Sequence, residues 1–379
     1  MSAEVPQRTA LAPGDCLVLK VGSALLTHSS TGLARERIEA WAAQIAELCD
    51  AGIRVVVVSS GAVAEGCVRL GLTERPRRLH RLQAAAAVGQ VGLTHAYEHA
   101  FAAHKRHAAM VLLTHDDLSN RVRYLNARTT LTTLLDLGVV PIVNENDTVA
   151  TDEIRFGDND TLAAMVANLL QAELLLILTN QQGLHTKDPI EDPLAPLLPW
   201  VSLADPALDS FAGDSGGEFG RGGMITKIQA ARTAANSGAR TVIADGMAEQ
   251  VITRVAAAES LGTLLTDERG RRAARKGWIL SHRRTAGEIT VDAGAETALQ
   301  NRGVSLLPVG AVAVQGEFSR GDLVRLVSET GRVLGQGLVN YSSAEVRSLL
   351  GHSSDQIVGI LGYCNEDELI NRDNMALHS

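Results

Sequence analysis

The sequence predicts an α/β domain, a mostly parallel sheet sandwiched by helices, followed by a small β-rich domain. Three observations lead there: short apolar runs recur with helix-like stretches between them, a cationic stretch interrupts the pattern near residue 268, and short alternating segments separated by turn signals follow Gly287. At roughly 100–200 residues per domain, a 379-residue chain suits two domains, each with room for a core.

The runs are Leu17 to Leu19, Val55 to Val58, Met110 to Leu113, Val139 to Val143, Leu174 to Leu178 and Thr241 to Ala244. Rich in Val, Ile and Leu and not alternating with polar residues, they fit strands buried on both faces, the mark of a parallel sheet. Between them, Arg35 to Ala51, Leu82 to His104, Asn126 to Leu137, Asp160 to Gln171 and Met224 to Ser237 are free of Pro and long enough for crossover helices. Glycines 52, 138 and 238 follow three of them, where a helix needs a left-handed terminal residue. Residues 1–268 therefore read as the first domain. A basic linker follows at 269–280, five of its cations lying in RGRRAARK. Glu288 to Val291, Val304 to Leu307, Ala311 to Val314, Leu323 to Val327 and Val333 to Asn340 are expected strands of a small barrel or sandwich spanning 281–366. The polar stretch 367–379 is expected to be a loose C-terminal tail.

Charge and composition exclude several functions. The net charge is -8, resolved as -9 over 1–268, +5 over the linker and -4 beyond it. A sequence-independent grip on nucleic acid or anionic lipid needs clustered cations, so small-molecule chemistry is expected instead. The cysteines at 16, 49, 67 and 364 are far apart, with no CxxC, suggesting neither a zinc site nor a disulfide scaffold and fitting a reducing cytosol. The opening MSAEVPQRTALAPGD lacks an export pattern, and no apolar run is long enough to span a membrane.

Several strand ends carry residues suited to chemistry. Lys20 closes the first strand ahead of Gly22 and Ser23, where a lysine either snorkels to solvent or faces the ligand crevice of an open α/β sheet. No GxxxxGK[ST] loop occurs in the chain. Ser60 and Gly61 form a strand-to-helix turn with free N–H donors, which serves as a plain helix cap or as a seat for a carboxylate or phosphate. Residues 144–160 hold six carboxylates and one cation between a strand and a helix, a pattern that suits a solvated loop or the binding of an ammonium group and amides. Thr179 and Asn180 follow the fifth strand. Glycines between 213 and 223 precede a helix that opens with Lys227, an unusual cation at a positive helix end unless an anion is near. Two lysines, two glycine turns and an acidic loop at one sheet edge are parts that phosphoryl transfer needs.

These residues, in this order, resemble the amino-acid kinase family. LVLKVGS, VVSSGAV, LNARTTL, PIVNENDTVAT, GDNDTLAA and GGMITKIQAA fall where that family has its site, and GEITVDAGA, LLPVG and GEFSRGD resemble a PUA domain. The resemblance covers nearly the whole chain and is closest to members that phosphorylate the side-chain carboxylate of L-glutamate, the first step of proline synthesis. It implies that Lys20, Lys227 and Asp160 are catalytic, the aspartate orienting the lysines. Ser60, Gly61, Asn144, Asp147, Asp158 and Asn159 would hold glutamate, with Asp147 on its ammonium group. Lys20, Thr179, Asn180, Arg221, Gly222, Gly223, Met224, Ile225, Thr226 and Lys227 would hold ATP, with Mg2+ on its phosphates and no metal-binding residue. Asn180, Arg221 and Ala24 depart from the family's usual Asp, Thr and hydroxyl residue. The resemblance also implies a cytoplasmic homo-oligomer, feedback inhibition by proline, and glutamate-5-semialdehyde dehydrogenase as pathway partner. The rival readings are a kinase for acetylglutamate or aspartate and, from another class, an RNA-binding protein acting through the PUA-like domain.

Overall fold

The computed structural model describes residues 8–28, 32–150, 159–189, 191–212, 223–267, 285–364 and 366–377. The chain divides into two compact units. Described residues up to Leu118 and from Ala127 to Asp267 form the first, and residues 285–377 with 119–126 form the second.

In the first unit ten strands are β1 (Cys16–Val21), β2 (Thr27–His28), β3 (Gly32–Leu33), β4 (Arg54–Val58), β5 (Ala108–Leu113), β6 (Val140–Glu145), β7 (Leu174–Thr179), β8 (Trp200–Ser202), β9 (Arg240–Asp245) and β10 (Thr263–Thr266). Eight of them form one sheet in the order β5-β6-β4-β1-β7-β9-β10-β8, and β2 pairs with β3 apart from it. All pairs in the large sheet are parallel except β9 with β10. The expected mostly parallel sheet is thus present, with one reversed step toward its edge. The chain runs from β1 to its neighbour β4, out to the edge strand β5, back to β6 between them, and then crosses to β7 on the other side of β1. That reversal makes the carboxyl end of β1 the topological switch point, where such sheets bind ligands.

The helices are α1 (Ser23–Leu26), α2 (Arg35–Asp50), α3 (Ala62–Arg69), α4 (Leu79–Ala102), α5 (His115–Ser119), α6 (Arg121–Asp136), α7 (Asn159–Leu170), α8 (Met224–Ala234) and α9 (Val251–Ala256). Strand alternation decides which face each residue serves. Leu17, Leu19 and Val21 of β1 join Ile38, Trp41 and Ile45 of α2, Leu93 and Phe101 of α4, and Ile252 of α9 in one core cluster. Lys20, one residue out of phase, is therefore turned to the opposite face of the sheet, where α7 and α8 lie. The α3 and α4 helices cross closely because small residues meet there: a Cβ on Gly66 would lie 1.7 Å from the Ala85 carbonyl oxygen, and one on Gly89 1.8 Å from that of Ala62.

The second unit contains β11 (Gly287–Val291), α10 (Ala293–Arg302), β12 (Ala311–Gly316), β13 (Leu323–Ser328), β14 (Val333–Leu338), α11 (Ser343–Leu349), α12 (Ile357–Leu361) and β15 (Met375–Leu377). Its sheet order is β12-β11-β13-β14-β15, with β11 and β13 parallel. Three expectations change here. Val304 to Leu307 is no strand; Leu306 makes only an isolated bridge to Ile370. Helices join the expected strands: Asp292 caps α10 by accepting from the Ala295 N–H at 2.6 Å, and Ser342 and Glu345 form a capping box on α11. The stretch 367–379 is not a loose tail within its described part: Leu369 and Ile370 are fully buried, and β15 adds the last strand against β14. Burying those side chains is what holds the segment. The linker 269–280 lies outside the described residues.

Candidate active site

The carboxyl ends of β1, β4, β6 and β7 meet the amino ends of α7 and α8 at one sheet edge. Asp160, in the first turn of α7, is 1% exposed and bridges two lysines. Its Oδ1 lies 2.5 Å from Lys20 Nζ, and its Oδ2 lies 3.1 Å from Lys227 Nζ while accepting from Thr226 Oγ1 at 2.7 Å. Lys20 and Lys227 are themselves only 6% and 5% exposed, so three charges with a net of +1 are held largely out of water. Burial alone would push the Asp160 carboxyl up, but Lys20 and Lys227 outweigh it and bring the pKa down to about 2. The carboxylate is thereby kept ionised and spent on positioning the two ammonium groups, and the surplus positive charge faces the switch point.

Beside this triad a cleft of about 100 Å³ is lined by Ser23, Ser60, Gly61, Asn144, Asp147, Asn159 and neighbours. Asn159 sets its floor. Its Nδ2 donates to Ser59 O at 2.7 Å and to Ser60 Oγ at 2.8 Å, with Asn144 Oδ1 3.2 Å away. The Asn144 Nδ2 in turn donates to Gln90 Oε1 at 2.9 Å. Under the floor, Ser59 and the buried Tyr97 share a 3.0 Å hydroxyl contact. Gly61 opens α3 with φ +100°, a left-handed conformation that few other residues adopt easily, and leaves the amino end of the helix open to the cleft. Asp147, just past β6, is raised from 3.8 to about 6 by burial, with Arg75 pulling in the opposite direction. Asp147 is thus half-buried, and its negative charge lacks full compensation in the ligand-free protein.

Of the residues singled out from the sequence, Lys20, Asp160 and Lys227 form the triad, and Ser60, Gly61, Asn144, Asp147 and Asn159 line the cleft. Thr179 ends β7, its hydroxyl 3.3 Å from Asn180 Oδ1. Gly223 precedes α8, whose first turn holds Met224, the exposed Ile225, and Thr226. Asp158, Arg221 and Gly222 lie outside the described residues. The sequence reading missed Arg75, Glu145 and Ser23 in the cleft wall and Gln90 and Tyr97 beneath it. Ser23 was within reach, being next to Gly22, and so was Glu145, which ends β6 inside the acidic stretch 144–160; Arg75, Gln90 and Tyr97 come from α4 and its connection to α3, which no local pattern announces.

The chain matches the amino acid kinase family over residues 15–245 and the PUA domain over residues 287–361. It belongs to the amino acid kinase family. Its relatives include the glutamate 5-kinase of Pseudomonas savastanoi pv. phaseolicola, 56% identical over 360 residues covering 95% of this chain and 98% of that one. The glutamate 5-kinase of Pseudomonas fluorescens Pf0-1 is 55% identical over 360 residues, covering 95% and 97%. A solved UMP kinase from Bacillus anthracis aligns at 16% identity with a TM-score of 0.47, covering 68% of this chain and 97% of its own.

Proposed function

We propose that the chain is a glutamate 5-kinase, transferring the γ-phosphoryl group of ATP to the side-chain carboxylate of L-glutamate to give L-glutamyl 5-phosphate. One observation carries this reading: adjacent residues of a single helix start, Asn159 and Asp160, join an amino-acid-sized cleft containing Asp147 to a buried pair of lysines. The relatives named above supply the substrate.

The acceptor carboxylate is ionised at neutral pH and needs no general base. Its oxygen bonds to the γ-phosphorus as the bond to the β-bridging oxygen breaks, and ADP leaves with that electron pair. Lys20 and Lys227 meet the charge on the phosphoryl group in flight, and Asp160 fixes their positions. Ser60, the Gly61 N–H, Asn144, Asp158 and Asn159 hold the amino acid, with Asp147 on its ammonium group. Thr179, Asn180 and the stretch 221–227 hold the nucleotide. Magnesium on the ATP phosphates supplies further charge neutralisation when bound. The Asp160 oxygens are already engaged by Lys20, Lys227 and Thr226, which fits a cation carried by the nucleotide more than one held by that carboxylate.

The product is a mixed anhydride prone to hydrolysis, which supports prompt use by glutamate-5-semialdehyde dehydrogenase in proline synthesis. Proline as feedback inhibitor, a homo-oligomer and a cytoplasmic location belong to the same proposal. Among the described residues no helix is long and apolar enough to cross a membrane. ADP release with MgATP tests the reading: it should depend on L-glutamate and not respond to N-acetylglutamate, whose nitrogen carries no charge for Asp147. Equal response to both acids would overturn the substrate assignment.

A further inference from the structure

The cleft wall contains a cation that the reaction does not use. Arg75 lies in the connection between α3 and α4 and lines the same cleft as Asp147, close enough that its charge acts on that carboxylate. Among the described residues lining the cleft it is the sole lysine or arginine, beside two carboxylates, Glu145 and Asp147. Lys20 and Lys227 sit apart from it in the triad with Asp160.

An α-amino acid whose side chain is to be phosphorylated brings three charges into this space. Its side-chain carboxylate must reach the phosphoryl group, and so points toward the triad, next to Asn159 and Ser23. Its head is a zwitterion, an ammonium and a carboxylate on one carbon. Asp147 answers the first of these charges, and no cation in the reading so far answers the second. A guanidinium beside an aspartate is the complement of such a head, since it offers a carboxylate two parallel N–H donors. Two features of the chain place Arg75 for that task. Pro76 confines the Arg75 backbone to extended conformations, which limits where its side chain can be aimed. The tight α3–α4 crossing at Gly66 and Gly89 anchors both ends of the connection.

We propose that Arg75 binds the α-carboxylate of the amino-acid substrate and, paired with Asp147, selects a free zwitterionic head. The inference rests on the reading of this cleft as the glutamate site. It adds a substrate contact outside the strand-end motifs, on a segment whose neighbours Arg77, Arg78 and Arg81 give the sequence four cations to choose among.

The test compares L-glutamate with its α-amide, which keeps the ammonium group and the side-chain carboxylate but presents a neutral carboxamide in place of the α-carboxylate. Wild-type protein should favour glutamate by about 10–100-fold in kcat/KM, the scale of a charge-assisted bidentate pair. In Arg75→Ala the ratio should fall to within about threefold of unity, because glutamate loses the contact and the α-amide never had it; Arg75→Lys should fall between. If Arg75 acts only by tuning Asp147, both substrates weaken together and the ratio stays at its wild-type value, which overturns the proposal. A wild-type protein that ignores glutamate would refute the reading of the site itself, a failure visible before any variant is made.

Discussion

Asp147 links binding to stability in a way that a single substitution exposes. Burial lifts its pKa from 3.8 to about 6, a difference of 6 − 3.8 = 2.2. At 1.36 kcal/mol per unit this amounts to ~3 kcal/mol, reduced to about 1–3 kcal/mol because the side chain is half-buried and water reaches it. The sign follows from where the proton sits. Below pH 3.8 the carboxyl is protonated in the folded and unfolded chain alike, and folding carries no charge penalty. As pH rises from 3.8 to 6 the unfolded chain releases its proton first, and stability falls; above 6 the whole penalty is present. Asp147→Asn removes it, so the ligand-free variant should melt roughly 2–12 °C higher than wild type at pH 7.5, with the gain vanishing near pH 4. The same variant should show a KM for glutamate raised about 10–100-fold, because the ammonium group has lost its partner. Thermal unfolding at the two pH values and steady-state kinetics check both halves. An Asn variant less stable than wild type at pH 7.5, or one with unchanged KM, would refute the reasoning.

Other substitutions probe the remaining links. Lys227→Ala should lower kcat by roughly 10²-fold or more at saturating substrates, and wild-type turnover would remove Lys227 from the phosphoryl path. Asp160→Asn leaves two nearly dry ammonium groups without a counter-charge, a loss of about 3–5 kcal/mol read by denaturant unfolding; an unchanged midpoint would show the triad to be energetically idle. The wild-type pair also has a pH signature: with Asp160 at about 2 instead of 3.8, its contribution of ~2 kcal/mol is present above pH 3.8 and lost as pH falls toward 2. Gly89→Ala should destabilise by about 1–3 kcal/mol, since its Cβ would stand 1.8 Å from the Ala62 carbonyl oxygen. Removing residues 367–379 should make the second unit sensitive to protease, because Leu369 and Ile370 leave its core.

The large sheet was legible because a parallel strand buried on both faces needs an uninterrupted apolar run, and those runs stand out. Lys20 was legible for the same reason, as a charge ending such a run. What the sequence could not show is that Lys20 and Lys227, over two hundred residues apart, share one carboxylate. That depends on α7 and α8 lying side by side on one face. Arg75 was invisible among its neighbouring arginines, since the crossing of α3 and α4 decides which of them faces the cleft. The C-terminal segment misled because its own residues are mostly polar. Its place is set by β14, where a Cβ on Gly335 would come within 2.2 Å of the Ala376 carbonyl oxygen, so that strand's glycine makes room for the last one. The capping box at Ser342 and Glu345 is a local pattern, and it marks the start of α11.

The central claim is that a carboxylate, and specifically that of free glutamate, receives the phosphoryl group. Trapping the product with hydroxylamine tests it most directly: protein, MgATP and hydroxylamine are incubated with glutamate, aspartate or N-acetylglutamate, and the hydroxamate is measured. The account predicts glutamate hydroxamate in step with ADP, and little from the other two acids. ADP released without glutamate hydroxamate, or more hydroxamate from aspartate or N-acetylglutamate than from glutamate, would contradict it.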